Sequence, residues 1–559
     1  MSEVRIGVFV CHCGNNIGGV VNVPDVVAFA RSLPEVVHAE DNIYSCSEAG
    51  LSSIKESIKK HGLSRVIVAS CTPRTHEPLF KKACEEAGLN KYLFEFVNIR
   101  EHCSWIHMQH KDDATEKAKF LVEMGVAKAR FLEPQQEEES KVIPQALVIG
   151  GGVAGMTAAL TIASQGIKVC LVEKENELGG RLNKIHSLFH TNQTPDEIVK
   201  PLVKAVRSSK NIRLYLSSEV TNVKGYIGAF HVTIDHKGRK GECDVGTILV
   251  AVGADVLAPK KLFRYGAFRN VITELELEDK LQKGFKPKKG AVFINCAGAR
   301  IPQRPYCSRI CCLTSIKNAY ALKRRNPKAG VYVLHRDLMA YGADFERYYK
   351  LAQEAGVRFI RYDIDKPPKV SGKEKAEKVS VYHELLGKKV DLVCDLVVLT
   401  TPLIPGEDNE ELSKMLKVPL SEEGFFLEAH LKLKPVEFAT DGIYICGSAR
   451  WPSDVRESIS QGYAAASKAL IPMKKGTIAS EAITSFIDEM KCIGCGACVV
   501  TCPYSAIELI TKEGRYISHI NAVQCKGCGS CVAACLNGAA QQRCYTDQQL
   551  LEMVHVLLK

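Results

Sequence analysis

Two cysteine runs with the same spacing stand near the end of the chain, Cys492-x-x-Cys495-x-x-Cys498-x-x-x-Cys502-Pro503 and Cys525-x-x-Cys528-x-x-Cys531-x-x-x-Cys535. Three thiolates at this spacing wrap one face of an iron–sulfur cubane, and the fourth of each run reaches the other cluster. Cys492, Cys495, Cys498 and Cys535 are therefore expected to hold one [4Fe–4S] cluster, and Cys525, Cys528, Cys531 and Cys502 a second. Gly494, Gly496, Gly527 and Gly529 let backbone amides approach the sulfurs. Leu536 takes the place of the proline expected after the second run.

A further set, Cys296, Cys307, Cys311 and Cys312, follows an apolar run at 291–294 that reads as a buried strand and precedes a helical pattern at 313–322. In an enzyme binding two dinucleotides, this strand-to-helix turn would carry a second glycine loop for nicotinamide phosphates. Cysteines occupy it instead, so a [4Fe–4S] cluster is expected there, exchanging single electrons rather than hydride. A buried thiol set or a zinc site is the competing reading. Arg300, Arg304 and Arg309 are expected to be solvated, or to offset cluster charge.

The elements that would position these residues come in blocks. In residues 1–133, apolar runs at 4–10, 43–44, 66–69 and 92–97 each lead to cysteine, at Cys11 and Cys13, Cys46, Cys71 and Cys103. Helical patterns at 23–32, 50–60 and 77–87 alternate with them. This βαβ alternation predicts a parallel sheet whose carboxyl edge gathers distant residues. One further [4Fe–4S] site is expected from Cys11 or Cys13 with Cys46, Cys71 and Cys103, against the bland alternative of buried thiols. A helix at 112–132 and a polar linker at 134–144 follow.

Residues 145–475 open with a strand at 146–149 and Gly150-x-Gly152-x-x-Gly155 at the start of a helix. The next strand ends in Glu173. The glycines admit a pyrophosphate at the helix N-terminus and the acid suits a ribose hydroxyl. The candidate FAD contacts are Gly150, Gly152, Val153, Ala154, Gly155, Glu173 and Lys174, then Gly180, Arg181 and Leu182 of the segment 175–182. That segment resembles the loop beside the flavin in disulfide reductases. Ala251, Gly253, Gly447, Ser448 and Ser458 complete the set, on segments resembling the later FAD motifs of that family. Ser448 replaces its usual aspartate. The helix at 457–469 is expected to point its N-terminus at the flavin ring. No C-x-x-C dithiol lies in this domain. Residues 480–545 read as the two-cluster ferredoxin, and 546–559 as a helical tail, a candidate partner-docking element.

Composition bounds the rest. The length, 559 residues, suits three or four domains. The opening residues run straight into a strand, so no signal peptide is expected. Twenty-three cysteines then argue for metal ligation in a reducing, cytoplasmic compartment rather than a disulfide scaffold. The formal charge of +11 counts thiols as neutral. A [4Fe–4S] core with four thiolates carries about −2, so about four clusters and a flavin diphosphate bring the holoprotein near neutrality. With no basic, aromatic-interleaved patch, nucleic-acid binding is disfavoured. The weakly polar stretch 146–163 contains four glycines, so no membrane span is expected.

With these blocks in this order, the chain resembles the A subunit of heterodisulfide reductase from methanogenic archaea and related bacterial complexes. The resemblance rests on Cys11-His-Cys-Gly-Asn-Asn, Ala69-Ser-Cys-Thr-Pro-Arg, Asn98-Ile-Arg-Glu-His-Cys-Ser-Trp, the FAD glycines, Pro305-Tyr-Cys-Ser-Arg-Ile-Cys-Cys and the tandem ferredoxin. It implies an α/β chain: an N-terminal parallel-sheet domain, a thioredoxin-reductase-like FAD domain and an α+β ferredoxin domain. It also implies flavin-based electron bifurcation or confurcation in the setting of methanogenesis. The implied partners are the other subunits of the complex, an electron-donor subunit of hydrogenase or formate dehydrogenase type, and ferredoxin, in a dimer of heteromers. Many members carry an extra ferredoxin module inside the flavin domain. Between Leu182 and Thr247 this chain has only Cys243, so that module is absent. Competing functions are a stand-alone NAD(P)H reductase, a redox scaffold and a non-bifurcating electron-transfer subunit.

Overall fold

The computed structural model describes residues 3–137, 139–189, 191, 193–479 and 482–559. The first block alternates β1 (Ile6–Cys11), α1 (Val23–Ser32), β2 (Val36–Asn42), α2 (Glu48–His61), β3 (Arg65–Ser70), α3 (Pro73–Glu86) and β4 (Phe94–Asn98), and α4 (Lys111–Ala129) closes it. The strands form a wholly parallel sheet of order β2-β1-β3-β4. The central β1 is buried at every position, as a strand covered on both faces must be. Side chains begin the helices: Asn22 accepts from the Asp25 amide and Ser47 from the Gly50 amide. The strand expected around 43–44 lies earlier. β2 is an edge strand with little of its length buried, so it needs no apolar run. Ile43 and Tyr44 are exposed in the turn before Cys46.

Residues 140–478 form a compact unit of their own, with two parallel five-stranded sheets. The first contains β5 (Gln145–Ile149), β6 (Lys168–Val172), β7 (Ile212–Tyr215), β8 (Thr247–Val250) and, far along the chain, Ile443–Ile445. Between β5 and β6 runs α5 (Val153–Ser164). The second sheet is laid down from β9 (Val271–Thr273), α6 (Glu274–Gln282), β10 (Gly290–Ile294), α7 (Ile310–Arg325), β11 (Gly330–His335), β12 (Arg358–Arg361) and β13 (Leu396–Leu399), in the order β9-β13-β10-β11-β12. The Ile443–Ile445 strand, β14, then returns to pair with β8 in the first sheet, and α8 (Val455–Lys475) follows it. The capping box of Asp454 and Glu457 starts α8. No helix among the described residues is long and apolar enough to cross a membrane.

The last block holds β15 (Ser485–Ile487), α9 (Ala497–Thr501), β16 (Ile507–Lys512), β17 (Arg515–Ile520), α10 (Ser530–Ala533), β18 (Ala540–Gln542) and α11 (Asp547–Leu557). It joins residues 1–139 in one compact unit. The tail does not stand free: α11 packs along α4. Gln549 Nε2 donates to the Phe131 carbonyl at 2.7 Å, and Lys559 pairs with Glu123 at 2.9 Å. Cys544 is buried in the N-terminal core. Lys128 is 2% exposed, pairs with Glu95 at 2.7 Å and lies 3.8 Å from the centre of the Tyr545 ring. Burial pushes the Glu95 carboxyl up, and Lys128 opposes this. Removing one partner of such a pair costs about 3–5 kcal/mol. Lys128→Met should therefore lower the thermal midpoint of the protein clearly, and adding Glu95→Leu should recover much of the loss. A melt of the single variant that matched wild type would show that the buried pair contributes nothing to stability.

Candidate functional site

At the carboxyl edge of the N-terminal sheet the structure gathers Cys11, Cys13, Cys46 and Cys71. Burial raises the Cys13 thiol, and Cys11 and Cys71 raise it further. Cys46 is raised by burial and by Cys11, Cys71 and Cys13. Such mutual repulsion is what four potential thiolates feel when brought together without a metal. The Cys13 and Ser45 amides donate to Cys11 Sγ at 3.3 and 3.4 Å. Arg100 Nη1 stands 3.8 Å from Cys13 Sγ, and its guanidinium lies over Trp105. The hydroxyls of Ser45 and Ser70 are buried with no partner among the described residues. Cys103 departs from its expected place. It sits on the single turn Arg100–Ser104 after β4, fully buried, and its thiol donates to the Ala114 carbonyl at 3.0 Å. Burial pushes it up to about 11, and no other cysteine contributes. The set therefore contains both Cys11 and Cys13 instead of one of them with Cys103. A C-x-C pair on one strand end can supply two ligands, which separation along the chain alone did not settle. His12 is tied to Asp41 at 2.7 Å, and Cys84 is core.

In the flavin-type sheet, Gly150 to Gly155 turn tightly between β5 and α5. A side chain on Gly155 would collide with the Gly150 carbonyl, whereas the space over Gly152 is open. Gly152 caps α5 without a side-chain hydrogen bond, so the first amides of the helix remain available to a phosphate, with Val153 and Ala154 in its first turn. Glu173 Oε2 accepts from the Gly151 amide at 2.6 Å and Oε1 from the Glu175 amide at 2.9 Å, which holds the acid at the glycine loop. Lys174 pairs with Asp408. Gly180, Arg181 and Leu182 form a short turn that meets the loop, with Gly152 and Gly179 bridged. Arg181 has a buried Nη1 with no partner among the described residues. Burial lowers its pKa, and Cys311 and Asp255 oppose that. Ala251 and Gly253 follow β8. Gly447 donates to Gln461 Oε1 at 2.8 Å, Ser448 Oγ to the Ser453 carbonyl at 3.3 Å, and Ser458 is buried in the first turns of α8. The open glycine cradle and the orphaned guanidinium fit a dinucleotide such as FAD.

Beyond β10, the turn 295–309 brings Cys296, Cys307, Cys311 and Cys312 together. Burial raises Cys311 well above the usual thiol range, and Glu274, Cys312, Cys307 and Cys296 raise it further. Cys312 is pushed up to about 12 by burial, with Cys296 and Cys307 adding to it. Cys296, Arg300 and Arg309 hold positive φ, backbone strain that side-chain anchors must offset. Those anchors are the arginines, which are not simply solvated. Arg300 pairs with Asp337 at 2.7 Å and Arg304 Nε donates to the Gly298 carbonyl at 2.7 Å. Arg309 forms two bonds to the Glu457 carboxylate at 3.1 and 3.0 Å and one to the Pro452 carbonyl at 2.8 Å. Its amide donates to Cys307 Sγ at 3.3 Å. Sequence reasoning missed the buried group beside this site. Lys317 pairs with Glu278 at 2.5 Å, Asn318 Nδ2 donates to the same oxygen, and Glu274 is raised by burial and by Glu278. A helical pattern carrying Lys and Glu reads as a solvated face, and only packing buries it.

In the last block, Cys502, Cys525, Cys528 and Cys531 line one small pocket together with Ser485. Cysteines 525, 528 and 502 all raise Cys531 after burial does. The crossing of Cys502 to the second run is thus visible in the fold. Amides approach the sulfurs here too, Gly527 to Cys525 at 3.4 Å and Ala506 to Cys502 at 3.3 Å. Around the first run, the Ala540 amide donates to Cys535 Sγ at 3.4 Å, and Cys498 is buried beside Ser518. Cys492 lies in the preceding turn, and Cys495 is exposed.

A dinucleotide cradle, a neighbouring sheet with a cysteine-lined turn and a dicluster ferredoxin define an oxidoreductase component carrying FAD and [4Fe–4S] clusters. Residues 144–303 match the pyridine nucleotide-disulphide oxidoreductase family and 491–539 the 4Fe-4S dicluster domain. An iron-sulfur A subunit of CoB--CoM heterodisulfide reductase from Methanopyrus kandleri is 38% identical, covering 100% of this chain and 98% of its own. The A subunit of the H(2):CoB-CoM heterodisulfide,ferredoxin reductase of Methanothermobacter marburgensis is 39% identical over 92% of each. Among solved structures, thioredoxin reductase from Lactococcus lactis is 18% identical over 59% of this chain and 99% of its own, with a TM-score of 0.43. The chain belongs to the family of heterodisulfide reductase A subunits.

The N-terminal set makes a direct prediction. Cys13→Ser should remove about four iron atoms per chain, read by iron and acid-labile sulfide assay, whereas Cys103→Ala should leave the iron content unchanged. Iron loss with Cys103→Ala would return Cys103 to the ligand set.

Proposed function

We propose that this protein takes electron pairs on FAD and passes them on singly through [4Fe–4S] clusters, bifurcating or confurcating between a two-electron donor, low-potential ferredoxin and a disulfide-reducing partner subunit. The observation that carries the reading is the turn 295–312. Four cysteines come together there, where a nicotinamide-binding enzyme would carry its second glycine loop, and one of them, Cys311, acts on Arg181 of the FAD loop. Bound FAD supplies the conversion between two-electron and one-electron chemistry. The chain's part is to hold the flavin against α5, to place charge-offsetting arginines beside the middle cysteines, and to exclude water from Cys312 by burying it. The names of the relatives support the two acceptors, since one pairs heterodisulfide with ferredoxin.

The proposed ligands are Cys11, Cys13, Cys46 and Cys71; Cys296, Cys307, Cys311 and Cys312; Cys492, Cys495, Cys498 and Cys535; and Cys525, Cys528, Cys531 and Cys502. The proposed FAD contacts are those of the glycine cradle, Glu173, the Gly180–Leu182 turn and the segments after β8 and β14. The setting is the cytoplasm, in a complex with a hydrogenase- or formate-dehydrogenase-type electron donor, arranged as a dimer of heteromers. The absence of cysteine between Leu182 and Thr247 other than Cys243 leaves any branch served by an inserted ferredoxin module to a partner.

Anaerobic protein should contain about sixteen iron atoms per chain, counting four cubanes. A value near eight would remove the N-terminal and middle sites. Cys311→Ser should retain FAD, lose the middle iron and slow electron passage from flavin to ferredoxin in rapid-mixing absorbance measurements. Potentiometric titration of the flavin tests bifurcation itself. Crossed one-electron potentials are expected, and well-separated uncrossed ones would reduce the protein to a plain electron-transfer module.

A further inference from the structure

The ferredoxin repeat is longer than its cysteines. Ser485-x-Ile-Asp-x-x-x-Cys492 and Ser518-x-Ile-Asn-x-x-x-Cys525 place a serine seven residues before the first cysteine of each run. The acid or amide of this repeat has an evident local use. Asp488 Oδ1 accepts from the Met490 amide and Asn521 Oδ1 from the Val523 amide, and both backbone carbonyls accept from the first cysteine's amide. The serine takes no part in that turn. Ser485 in β15 and Ser518 in β17 are each 4% exposed. Each hydroxyl crosses to the third cysteine of the other run. Cys531 Sγ lies 3.3 Å from Ser485 Oγ, and Cys498 Sγ lies 3.1 Å from Ser518 Oγ. Neither hydroxyl has another partner among the described residues. Cys531 and Cys498 are themselves buried, so little water competes for these contacts.

We propose that Ser485 and Ser518 set the potentials of the two ferredoxin clusters, each through one hydrogen bond to the thiolate of the opposite run's third cysteine. The inference rests on the reading of these eight cysteines as cluster ligands. As free thiols, Cys531 and Cys498 donate to the hydroxyls. A ligating cysteine has lost its proton, so the serine must then donate. Reduction adds one negative charge to the cluster, and a donor aimed at the sulfur binds the more negative state more strongly. Hydrogen bonds to the sulfurs thus raise the cluster potential. Ser485 also gives its backbone amide to Cys525 Sγ at 3.5 Å, so it supports two sulfurs of one cluster. The reciprocal crossing mirrors the exchange of Cys502 and Cys535 between runs, and it ties each cluster's electronics to the repeat that does not supply its first three ligands.

The test uses the full-length, cluster-loaded protein with EPR-monitored redox titration. Ser518→Ala should lower the midpoint of the cluster held by Cys498 and leave the other in place. Ser485→Ala should lower that of the cluster held by Cys531, and the double variant should lower both, all with wild-type iron content. Ser→Thr at either position, which keeps the hydroxyl, should restore the potential. Unchanged midpoints at full iron content would overturn the proposal. So would equal shifts of both clusters from one variant, or loss of a cluster from an Ala variant, which would make the hydroxyl structural. Iron missing from these eight cysteines in the wild-type protein would instead overturn the ferredoxin reading beneath it.

Discussion

Cysteines are brought together in sets at partly buried points, and as thiolates there they would repel one another. That electrostatic demand shapes more of this chain than any single packing contact. Burial and neighbouring sulfurs push the thiols of Cys13, Cys46, Cys296, Cys311 and Cys531 upward, so the fold gathers groups that would not choose to ionise together. A metal core held by them would supply the missing positive charge. The protein supplies the remainder through backbone amides aimed at sulfur, as at Cys11, Cys307, Cys502, Cys525 and Cys535, and through arginines such as Arg100.

Three different local devices meet this demand. In the N-terminal domain a parallel sheet brings strand ends together, so residues as distant as Cys11 and Cys71 meet at one edge. In the flavin domain a strained turn does the work, with non-glycine residues at positive φ held by the Arg300–Asp337 and Arg309–Glu457 pairs. Arg309 has a double attachment. Its amide meets Cys307, while its guanidinium grips the acid that also closes the capping box of α8. The position of the cysteine turn and the start of that helix are therefore mechanically linked. In the ferredoxin, short loops and reciprocal exchange between repeats suffice. Its tie to the N-terminal sheet is conventional packing, with α11 on α4 and a buried Lys128–Glu95 pair beneath Tyr545.

Membership of the heterodisulfide reductase A-subunit family places this arrangement among iron–sulfur flavoproteins. The second sheet keeps its parallel order, but the segment after β10 carries cysteines. Cys296 and Cys307 lie in the loop, Cys311 and Cys312 open the helix after it, and Arg300, Arg304 and Arg309 bind the loop down.

Local chemistry was legible from the residues alone. The ferredoxin spacing, the FAD glycine turn with Glu173, and the replacement of a second glycine loop by cysteines depend on short-range order, and helices such as 23–32 were predictable from periodicity. Tertiary structure alone decided which distant groups meet. It drew Cys13 into the N-terminal set and turned Cys103 into the core, because the single helical turn after β4 buries its thiol against the Ala114 carbonyl, and no spacing records that. It buried Lys317 with Glu278 between two helices, since burial depends on what packs above a helix. It gave Ser485 and Ser518 their sulfur partners across the repeat. Covalent neighbours fix spacing and turn chemistry, whereas convergence is a property of the folded chain.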